Sequence, residues 1–435
     1  MIEDPGGPGR WFPPQRGPVL VIGNPGNLFP QHLAALWRSM GLDARILTRR
    51  PYGGPVHLAG VPVTVTSETE GRSLGRAWGG IERAAWLFES RLVAAQQDRY
   101  RRAMGSETSY RPYVSPALAD AAALSHVVRK MKPEFVCGQE VFSYGLATAF
   151  CWNVPRILMP WGGDVYMYGH TTSLAFAAVR YALNHVDLVV PGSPLARDYL
   201  HETFGVPMER MHCGGLWALD RALSHPARPS DRARICARYG IDPAALVVMN
   251  VRRFFPAWGC DLALEAFRRF ARQCASAHFV MLGGGGTEAH VSRAREVVEG
   301  DGLRGRFTFF AGDVPVDECR DLMKVSEVFV SLMRERDMRP LASILEATAC
   351  GAAPVLGDQP EYRAMEQMGY RAIFCPTEDV EAVVEGLRRY ADDPVLRRET
   401  SAANQAYLDA HEDGRGQAID LLARIRSICD ARARA

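Results

Sequence analysis

The chain has 435 residues, of which 47% are hydrophobic and 23% are charged, and its net charge is +2. This composition is typical of a globular protein of two or three domains, and it points away from nucleic-acid binding and from a polybasic membrane protein. The 10 cysteines form no C-x-x-C pair, and no stretch reaches the ~18 consecutive apolar residues of a membrane span, so the sequence predicts a cytoplasmic protein.

The first half of the chain alternates apolar strands with helices. Residues 1–17, rich in Pro and Gly, are expected to be a flexible tail. Strands are predicted over 18–26 and 44–48, with a helix between them that ends at Gly41. Residues 66–113 then interrupt the pattern with a polar, aromatic-rich and mostly helical insertion. Later strands, each with a polar or glycine-rich exit, are predicted over 134–142, 155–166 and 185–193.

The pattern restarts in the second half of the chain. An apolar strand over 244–254 precedes an amphipathic helix, and further strands are predicted over 277–286, 306–314 and 327–333. A last amphipathic helix covers 418–435. The fold class is therefore predicted to be α/β, with two doubly wound, Rossmann-like domains. Because ligands bind at the carboxyl ends of parallel strands, polar residues at strand exits are the candidates for chemistry.

The segment SILEATACGAAPVLGD (343–358) predicts a short helix that begins near Pro340 and ends at Gly351, and then a buried strand over 352–357. Glu346 is the acidic residue inside this helix. Its neighbours at a spacing of three and four residues are small and uncharged: Ala342, Ser343, Ala349 and Cys350. Two interpretations stay open, a solvated glutamate on an edge helix and a carboxylate that accepts hydrogen bonds from paired ligand hydroxyls, such as those of a ribose.

Two strand exits in the first half carry candidate residues. GNPGNLF (23–29) offers glycines and backbone donors, although G-x-x-G alone is a weak signal. In WGGDVYMYGH (161–170), Trp161 could stack on a ring and Asp164 could accept hydrogen bonds from sugar hydroxyls. A glycine turn that Asp164 merely caps is an equally weighted alternative.

Two exits in the second half point to phosphate chemistry. Adjacent arginines, Arg252 and Arg253, leave a strand and would suit a phosphate, although surface arginines are the alternative. In LGGGGTE (282–288), bare backbone could hold a phosphate or a flat base, or could be a flexible loop. The first strand lacks G-x-G-x-x-G, the glycine run lacks the Lys-Ser/Thr pair of a P-loop, and no metal-ligand spacing occurs.

In this order, the segments resemble the retaining glycosyltransferases of family 4, which have the GT-B fold. The resemblance is strongest over 244–362, through NVRRFFPAWGCDLALEAF, FVMLGGGG and SILEATACGAAPVLGD, and looser through GNPG, WGGD and DLVVPGSPLARDYL. It implies two facing Rossmann-like domains with a C-terminal helix that crosses back. The expected boundaries are 18–217 for acceptor binding, 218–405 for nucleotide-sugar binding and 406–435 for the returning helix.

The resemblance further implies sugar transfer from a nucleotide-diphosphate sugar to a small natural product or a glycan precursor, with retention, without a metal and without a cofactor. Glu346 would accept hydrogen bonds from the ribose hydroxyls, while Arg253 would contact the diphosphate. The predicted catalytic residues are Asp164, Arg253 and Asp337. The predicted donor site comprises Gly26, Arg252, Arg253, Gly283, Gly285, Gly312, Arg339, Leu341, Ala342 and Glu346. The predicted acceptor site comprises Asn27, Trp161 and His170.

The sequence departs from the family pattern at three positions. Trp258 precedes the loop glycine where the family usually has a lysine, Met338 stands where a second glutamate is usual, and Trp161 stands where histidine is frequent. One hypothesis is that Arg252 or Arg339 replaces the lysine charge and that the neighbouring Asp337 replaces the glutamate.

The insertion at 66–113 is the candidate for acceptor recognition, with a helical hairpin that packs on the domain as the alternative. Its aromatic residues are Trp78, Trp86, Phe88, Tyr100, Tyr110 and Tyr113. The sequence gives no clear sign of membrane association. Rival functions are another GT-B reaction, such as that of a phosphorylase or an epimerase, and a non-catalytic homologue that only binds a sugar nucleotide.

Overall fold

The computed structural model describes most of the chain in two compact units. One unit consists of residues 1–218 with 414–435, and the other consists of 219–413. The described residues are 17–23, 28–48, 60–65, 114–170, 173–214, 219, 221, 223–252, 254, 256–283, 288–300, 303, 305–312, 314–334, 336, 342–412 and 414–434. The predicted tail up to residue 16 and the insertion at 66–113 lie outside them.

The described part of the first unit contains a six-stranded parallel sheet in the order β3-β2-β1-β4-β5-β6. Strands β1 and β4 are buried along their length, and β5 is buried after its first residue, which explains why they appear in the sequence as apolar runs. The strands are β1 (Val19–Ile22), β2 (Ala44–Thr48), β3 (Val63–Val65), β4 (Phe135–Gln139), β5 (Arg156–Met159) and β6 (Leu188–Val189).

The second unit repeats this architecture in the order β12-β11-β10-β7-β8-β9, again with parallel pairing. In both units the first strand pairs with the fourth, so the order reverses between β1 and β4 and between β7 and β10. These two points are where doubly wound sheets bind ligands. The strands are β7 (Leu246–Val251), β8 (Ala277–Leu282), β9 (Phe307–Phe310), β10 (Val328–Ser331), β11 (Ala353–Gly357) and β12 (Ile373–Cys375).

Helices connect the strands and cover the sheets. In the first unit they are Leu28–Ser39, Val114–Met131, Leu146–Ala149, Ser173–Asn184, Pro194–Phe204 and Gly414–Arg434. In the second unit they are Pro229–Tyr239, Cys260–Phe270, Glu288–Gly300, Val316–Val325, Ala342–Ala349, Pro360–Gln367, Val380–Asp392 and Pro394–His411. None of these helices is long and apolar enough to cross a bilayer. The predicted fold class, α/β with two Rossmann-like domains, is confirmed.

The last helix completes the core of the first unit. Its buried residues include Leu421 and Ile425, which pack with β1 and with Trp37, and the Trp37 ring meets Phe135 edge-to-face at 5.4 Å. The expected boundary after residue 405 falls inside the helix Pro394–His411, whose Tyr407 packs in the core of the second unit. The returning segment therefore begins at residue 414.

Among the described strands, the sequence pattern located all but one edge strand of each sheet. Strand β2 covers the predicted 44–48, and β11 begins one residue inside the predicted 352–357. Strands β3 and β12 were not predicted, because three residues at a sheet edge are too few to show a period. Two single π-helical turns, Val141–Gly145 and Gly163–Met167, were also missed.

Candidate functional site

A glycine lies in close contact with the backbone at the point of strand reversal in the second unit. Gly259 begins the helix Cys260–Phe270 with φ 64°, in the left-handed region that glycine tolerates. A Cβ atom built there would lie 1.8 Å from the carbonyl oxygen of Leu332, just after β10. The same two loops are also joined by the hydrogen bond from Arg334 N to Ala257 O, at 3.1 Å. The residue at this position therefore has to lack a side chain, and the loop after β7 touches the backbone after β10.

Glu346 lies on the helix Ala342–Ala349, which is the next helix after β10. The side chain is partly buried, and its carboxylate makes no hydrogen bond or ion pair among the described residues. Burial raises the pKa of Glu346 to about 6, and the positive charge of Arg320 limits that rise. A half-buried carboxylate without a donor among the described residues loses part of its hydration, and the hydroxyl groups of a ligand would compensate for that loss.

Two more polar atoms near Glu346 make no hydrogen bond among the described residues. The Oγ atom of Ser343, three residues earlier on the same helix, is buried without a hydrogen bond. Arg320, on the neighbouring helix Val316–Val325, has a side chain that is 9% exposed, and its Nε is likewise buried and unpaired. Within the described part of the chain its ion pair, at 3.9 Å, is with Asp317, which is almost fully exposed. These unsatisfied groups make the Glu346 helix a candidate binding site.

The predicted phosphate and base contacts follow three neighbouring strands. Arg252 follows β7, and its backbone N donates to Leu282 O at 3.1 Å. Gly283 follows β8, where a Cβ atom would lie 2.9 Å from the ring of Phe254, so a side chain would displace that ring. Gly312 follows β9 and is exposed, with open space around it. These residues thus follow the carboxyl ends of three adjacent strands, where ligands of such sheets bind.

In the first unit, the carboxylate of Asp164 links the loop after β4 to the loop after β5 by hydrogen bonds. Its Oδ2 accepts a hydrogen bond from Val141 N at 2.7 Å, just after β4, while its Oδ1 accepts from Gly162 N at 2.7 Å and from Trp161 N at 3.1 Å. The side chain is 3% exposed, and burial raises its pKa while these amides oppose the rise. This geometry matches the alternative of a capped glycine turn, and a catalytic role for Asp164 stays a prediction.

The Trp161 side chain belongs to the same cluster. Its Nε1 donates to Gln139 Oε1 at 3.1 Å, and Gln139 is the buried last residue of β4. The next residue, Glu140, has φ 72°, which is uncommon for a residue other than glycine. Gln139 also approaches Gly23 at the end of β1, so the cluster lies at the point of strand reversal. Such backbone strain is found mostly at functional sites.

The third predicted acceptor residue, His170, stands at the end of the following turn, Tyr168–His170. It is exposed, its Nε2 lies 2.6 Å from the Tyr199 hydroxyl, and its ring packs near Phe176 and Phe204. The structure thus brings Trp161 and Asp164 into one cluster. His170 instead contacts a different group of aromatic residues.

Both halves of the chain match glycosyltransferase family models. Residues 27–217 match the glycosyl transferase 4-like domain, and residues 231–407 match the glycosyl transferases group 1. The chain belongs to the glycosyltransferases of the GT-B fold. The finer assignment to the retaining family 4 stays a prediction.

Solved structures with the same fold are similar to this glycosyltransferase over nearly the whole chain. Sucrose-phosphate synthase from Thermosynechococcus elongatus has a TM-score of 0.70 at 15% identity and covers 96% of this chain and 100% of its own. Anabaena HepE in complex with UDP and glucose has a TM-score of 0.71 at 14% identity, and it covers 94% of this chain and 100% of its own. WaaG, a glycosyltransferase involved in lipopolysaccharide biosynthesis, has a TM-score of 0.64 at 14% identity, and it covers 93% of this chain and 99% of its own. A search of curated proteins found no match.

Seven predicted site residues of this glycosyltransferase lie outside the described residues: Gly26, Asn27, Arg253, Gly285, Asp337, Arg339 and Leu341. Their roles, and the hypothesis that nearby charges compensate for Trp258 and Met338, stay predictions. Trp258 itself is partly buried and packs against the core of the second unit.

Sequence reasoning missed two residues of these sites. Arg320 occupies a buried position on the amphipathic helix Val316–Val325, where an arginine in an apolar face is the available signal. Gln139 ends a buried strand, and a polar residue in such a place was the corresponding signal. Neither signal says which group the side chain would meet, because Glu346 and Trp161 come from other parts of the chain.

Proposed function

We propose that this glycosyltransferase moves a sugar from a nucleotide-diphosphate sugar to a hydroxyl group of an acceptor, with retention of anomeric configuration and without a metal. The observation that carries the proposal is the carboxylate of Glu346. It has no donor among the described residues, its pKa is raised to about 6, and it stands on the helix that follows β10. A cytoplasmic location belongs to the same proposal.

A ribose fits the chemistry of this helix. Its two adjacent hydroxyl groups can each donate to the ionised carboxylate of Glu346, which would replace the water that burial removed. The unpaired hydroxyl of Ser343 and the buried charge of Arg320 provide further polar groups nearby. Because the ionised form accepts these bonds, we expect nucleotide affinity to rise as the pH increases through about 6.

The diphosphate would lie at the start of the same helix. The first turn of a helix has amide groups without internal partners, and these favour an anion. Ala342 begins the helix, and the predicted contacts of Arg253, Arg339 and Leu341 would add to this site. Such groups stabilise the negative charge that develops on a leaving diphosphate.

The proposed reaction is a displacement on one face of the sugar. The bond between the anomeric carbon and the diphosphate oxygen breaks, and a bond to the acceptor oxygen forms on the same face. The acceptor proton passes to an oxygen of the leaving diphosphate, so the protein does not have to supply a base. Asp164 then contributes by accepting from two amides of the loop after β5, Trp161 N and Gly162 N, and from Val141 N after β4. We propose that the loop after β5 contacts the acceptor.

The comparisons suggest where to begin with substrates. HepE was solved with UDP and glucose, which makes UDP and UDP-sugars the first donors to test. The acceptor classes that we propose are small natural products and glycan precursors. The names of the similar structures point to different acceptors, so acceptor screening has to be broad.

The first experiment is a thermal-shift screen with UDP, GDP, ADP, CDP and TDP. A ligand that binds only the folded state raises the melting temperature by mass action, by about 2.7 kcal/mol of stability at a hundredfold excess over Kd. We expect one nucleotide to stabilise the wild type but not Glu346→Ala. Glu385→Ala is the matched control, because Glu385 is an exposed glutamate paired with Arg388. Equal shifts in the wild type and Glu346→Ala would contradict the proposed donor site.

Turnover separates the proposal from its rivals. Single-turnover product formation with the selected sugar nucleotide and an acceptor supports transfer. Consumption of the donor alone would indicate an epimerase, and a requirement for phosphate would indicate a phosphorylase. Binding without any product across the acceptor panel would favour a non-catalytic homologue, for which the departures at Trp258 and Met338 would be the explanation.

A further inference from the structure

The first unit contains a cavity of about 530 Å³ that the proposed function does not use. It is lined by Arg156 at the start of β5, by Asp187 just before β6, and by Arg432 on the last helix. The Trp161 loop follows the other end of β5, and this four-residue strand is about 13 Å long. A ligand in the cavity would therefore lie away from the candidate acceptor residues.

The charge of the lining favours an anion. Three arginines, Arg156, Arg210 and Arg432, face the cavity together with one carboxylate, that of Asp187. The carboxylate is already shared, since it accepts from Arg156 Nε at 3.2 Å and from Arg432 Nη2 at 2.9 Å. The lining thus carries two positive charges in excess, which a dianion would balance.

The guanidinium groups are held in place and still have donors to spare. Arg210 Nη1 donates to the carbonyl oxygens of Asn184 at 2.8 Å and Val186 at 3.1 Å, and Arg432 Nη1 donates to two more carbonyls at 3.1 Å. Each guanidinium has five N–H groups. The Nε groups of Arg210 and Arg432 make no hydrogen bond to described residues and are not buried. A bound anion would therefore meet fixed, accessible donors, which lowers the entropy cost of binding.

An aromatic ring stands at the rim of the cavity. Trp152 is 62% exposed, the highest value among the exposed large hydrophobic residues in the described part of the chain. Its ring meets Phe150 edge-to-face at 6.0 Å. A face of the indole is thus available to the ring of a ligand.

We propose that this cavity binds a small soluble phosphate monoester, with its phosphate on Arg210 and Arg432 and its ring against Trp152. A phosphate monoester carries a charge of about −1.5 to −2 at pH 7, and this matches the excess charge of the lining. A carboxylate would leave one positive charge unbalanced. Such a site, at the amino ends of the strands, suits an effector and does not depend on the proposed function.

The test uses isothermal titration calorimetry with phenyl phosphate and inorganic phosphate. We expect Arg210→Gln and Arg432→Gln to weaken binding of both probes at least about tenfold, because each removes charged hydrogen bonds. Arg197→Gln is the matched control, since Arg197 lies in the same unit, pairs with Asp198 and is outside the cavity. Its affinity should equal that of the wild type.

Trp152→Ala keeps the test decisive if the arginine variants fold poorly, because this exposed side chain is not needed in the core. It should weaken phenyl phosphate about two- to tenfold and leave inorganic phosphate binding unchanged. The proposal is overturned if neither probe binds the wild type at about 10 mM, or if the arginine variants bind both probes normally. Binding to anionic phospholipid vesicles in place of the soluble probes would overturn it as well.

Discussion

Replacing Glu346 with glutamine should stabilise the ligand-free protein at neutral pH while it weakens nucleotide binding. Burial raises the pKa of Glu346 from 4.5 to about 6. A shift of this size means that ionising the carboxylate in the folded state costs about 2 kcal/mol. Glutamine has nearly the same shape and no charge, so Glu346→Gln removes this cost. The ionised carboxylate that we expect to bind the nucleotide thus destabilises the ligand-free protein.

The sign of the pH dependence follows from the raised pKa. Between pH 4.5 and about 6 the folded protein binds more protons at Glu346 than the unfolded chain does, so its contribution to stability is lost as the pH rises through this interval. Glu346→Gln should match the wild type near pH 4.5 and exceed its free energy of unfolding by about 2 kcal/mol near pH 7.5. For a domain of this size the gain corresponds to roughly 4–8 °C in Tm.

Calorimetric unfolding of the wild type and Glu346→Gln at several pH values measures this difference. Other titrating groups, such as His278, are common to both proteins and cancel. Glu385→Gln is the control, because exposed Glu385 pairs with Arg388 and its pKa is lowered, so no stabilisation is expected. If Glu346→Gln were equally or less stable than the wild type near pH 7.5, the carboxylate would have a partner in the protein and the reasoning would be wrong.

Four further perturbations test other parts of the structure. Gly259→Ala should destabilise the second unit far more than Gly240→Ala in chemical denaturation, because both glycines have left-handed φ but only at Gly259 would a Cβ meet a backbone carbonyl, whereas Gly240 has open space; equal losses would refute the close approach. Asp164→Asn replaces one carboxylate oxygen by an amide donor, so at least one of the amides of Val141 and Gly162 loses its acceptor, and this should cost about 1–3 kcal/mol of unfolding free energy; an unchanged denaturation midpoint would contradict the role of these hydrogen bonds. Burial lowers the pKa of His278 to about 4, so its contribution to stability is present above pH 6.5 and lost as the pH falls towards 4, by about 3 kcal/mol in all; His278→Gln should flatten this part of the stability–pH curve. Arg320→Gln should move the midpoint of nucleotide affinity to higher pH, because the charge that opposes the rise in the Glu346 pKa is gone; an unmoved midpoint in a binding titration would exclude that role.

The order and type of the central elements could be read from the chain because the physical signals are local. A buried parallel strand such as β7 or β8 needs a continuous apolar run, and a helix such as Ala342–Ala349 needs an end signal such as Gly351, which has φ 101°. The edge strands β3 and β12 lack such signals, because they are short and half covered.

The sequence by itself placed Glu346 on a helix among small residues and so raised the question of its partner. Only the tertiary structure decided that burial raises its pKa and that Arg320, on a neighbouring helix, is the cation that opposes the rise. Likewise, WGGD left two roles open for Asp164, and only the fold shows that its carboxylate accepts a hydrogen bond from Val141, which follows another strand. The reason is physical: helix and strand periods are set by neighbours along the chain, whereas desolvation, charge and hydrogen-bond partners are set by residues that only folding brings together.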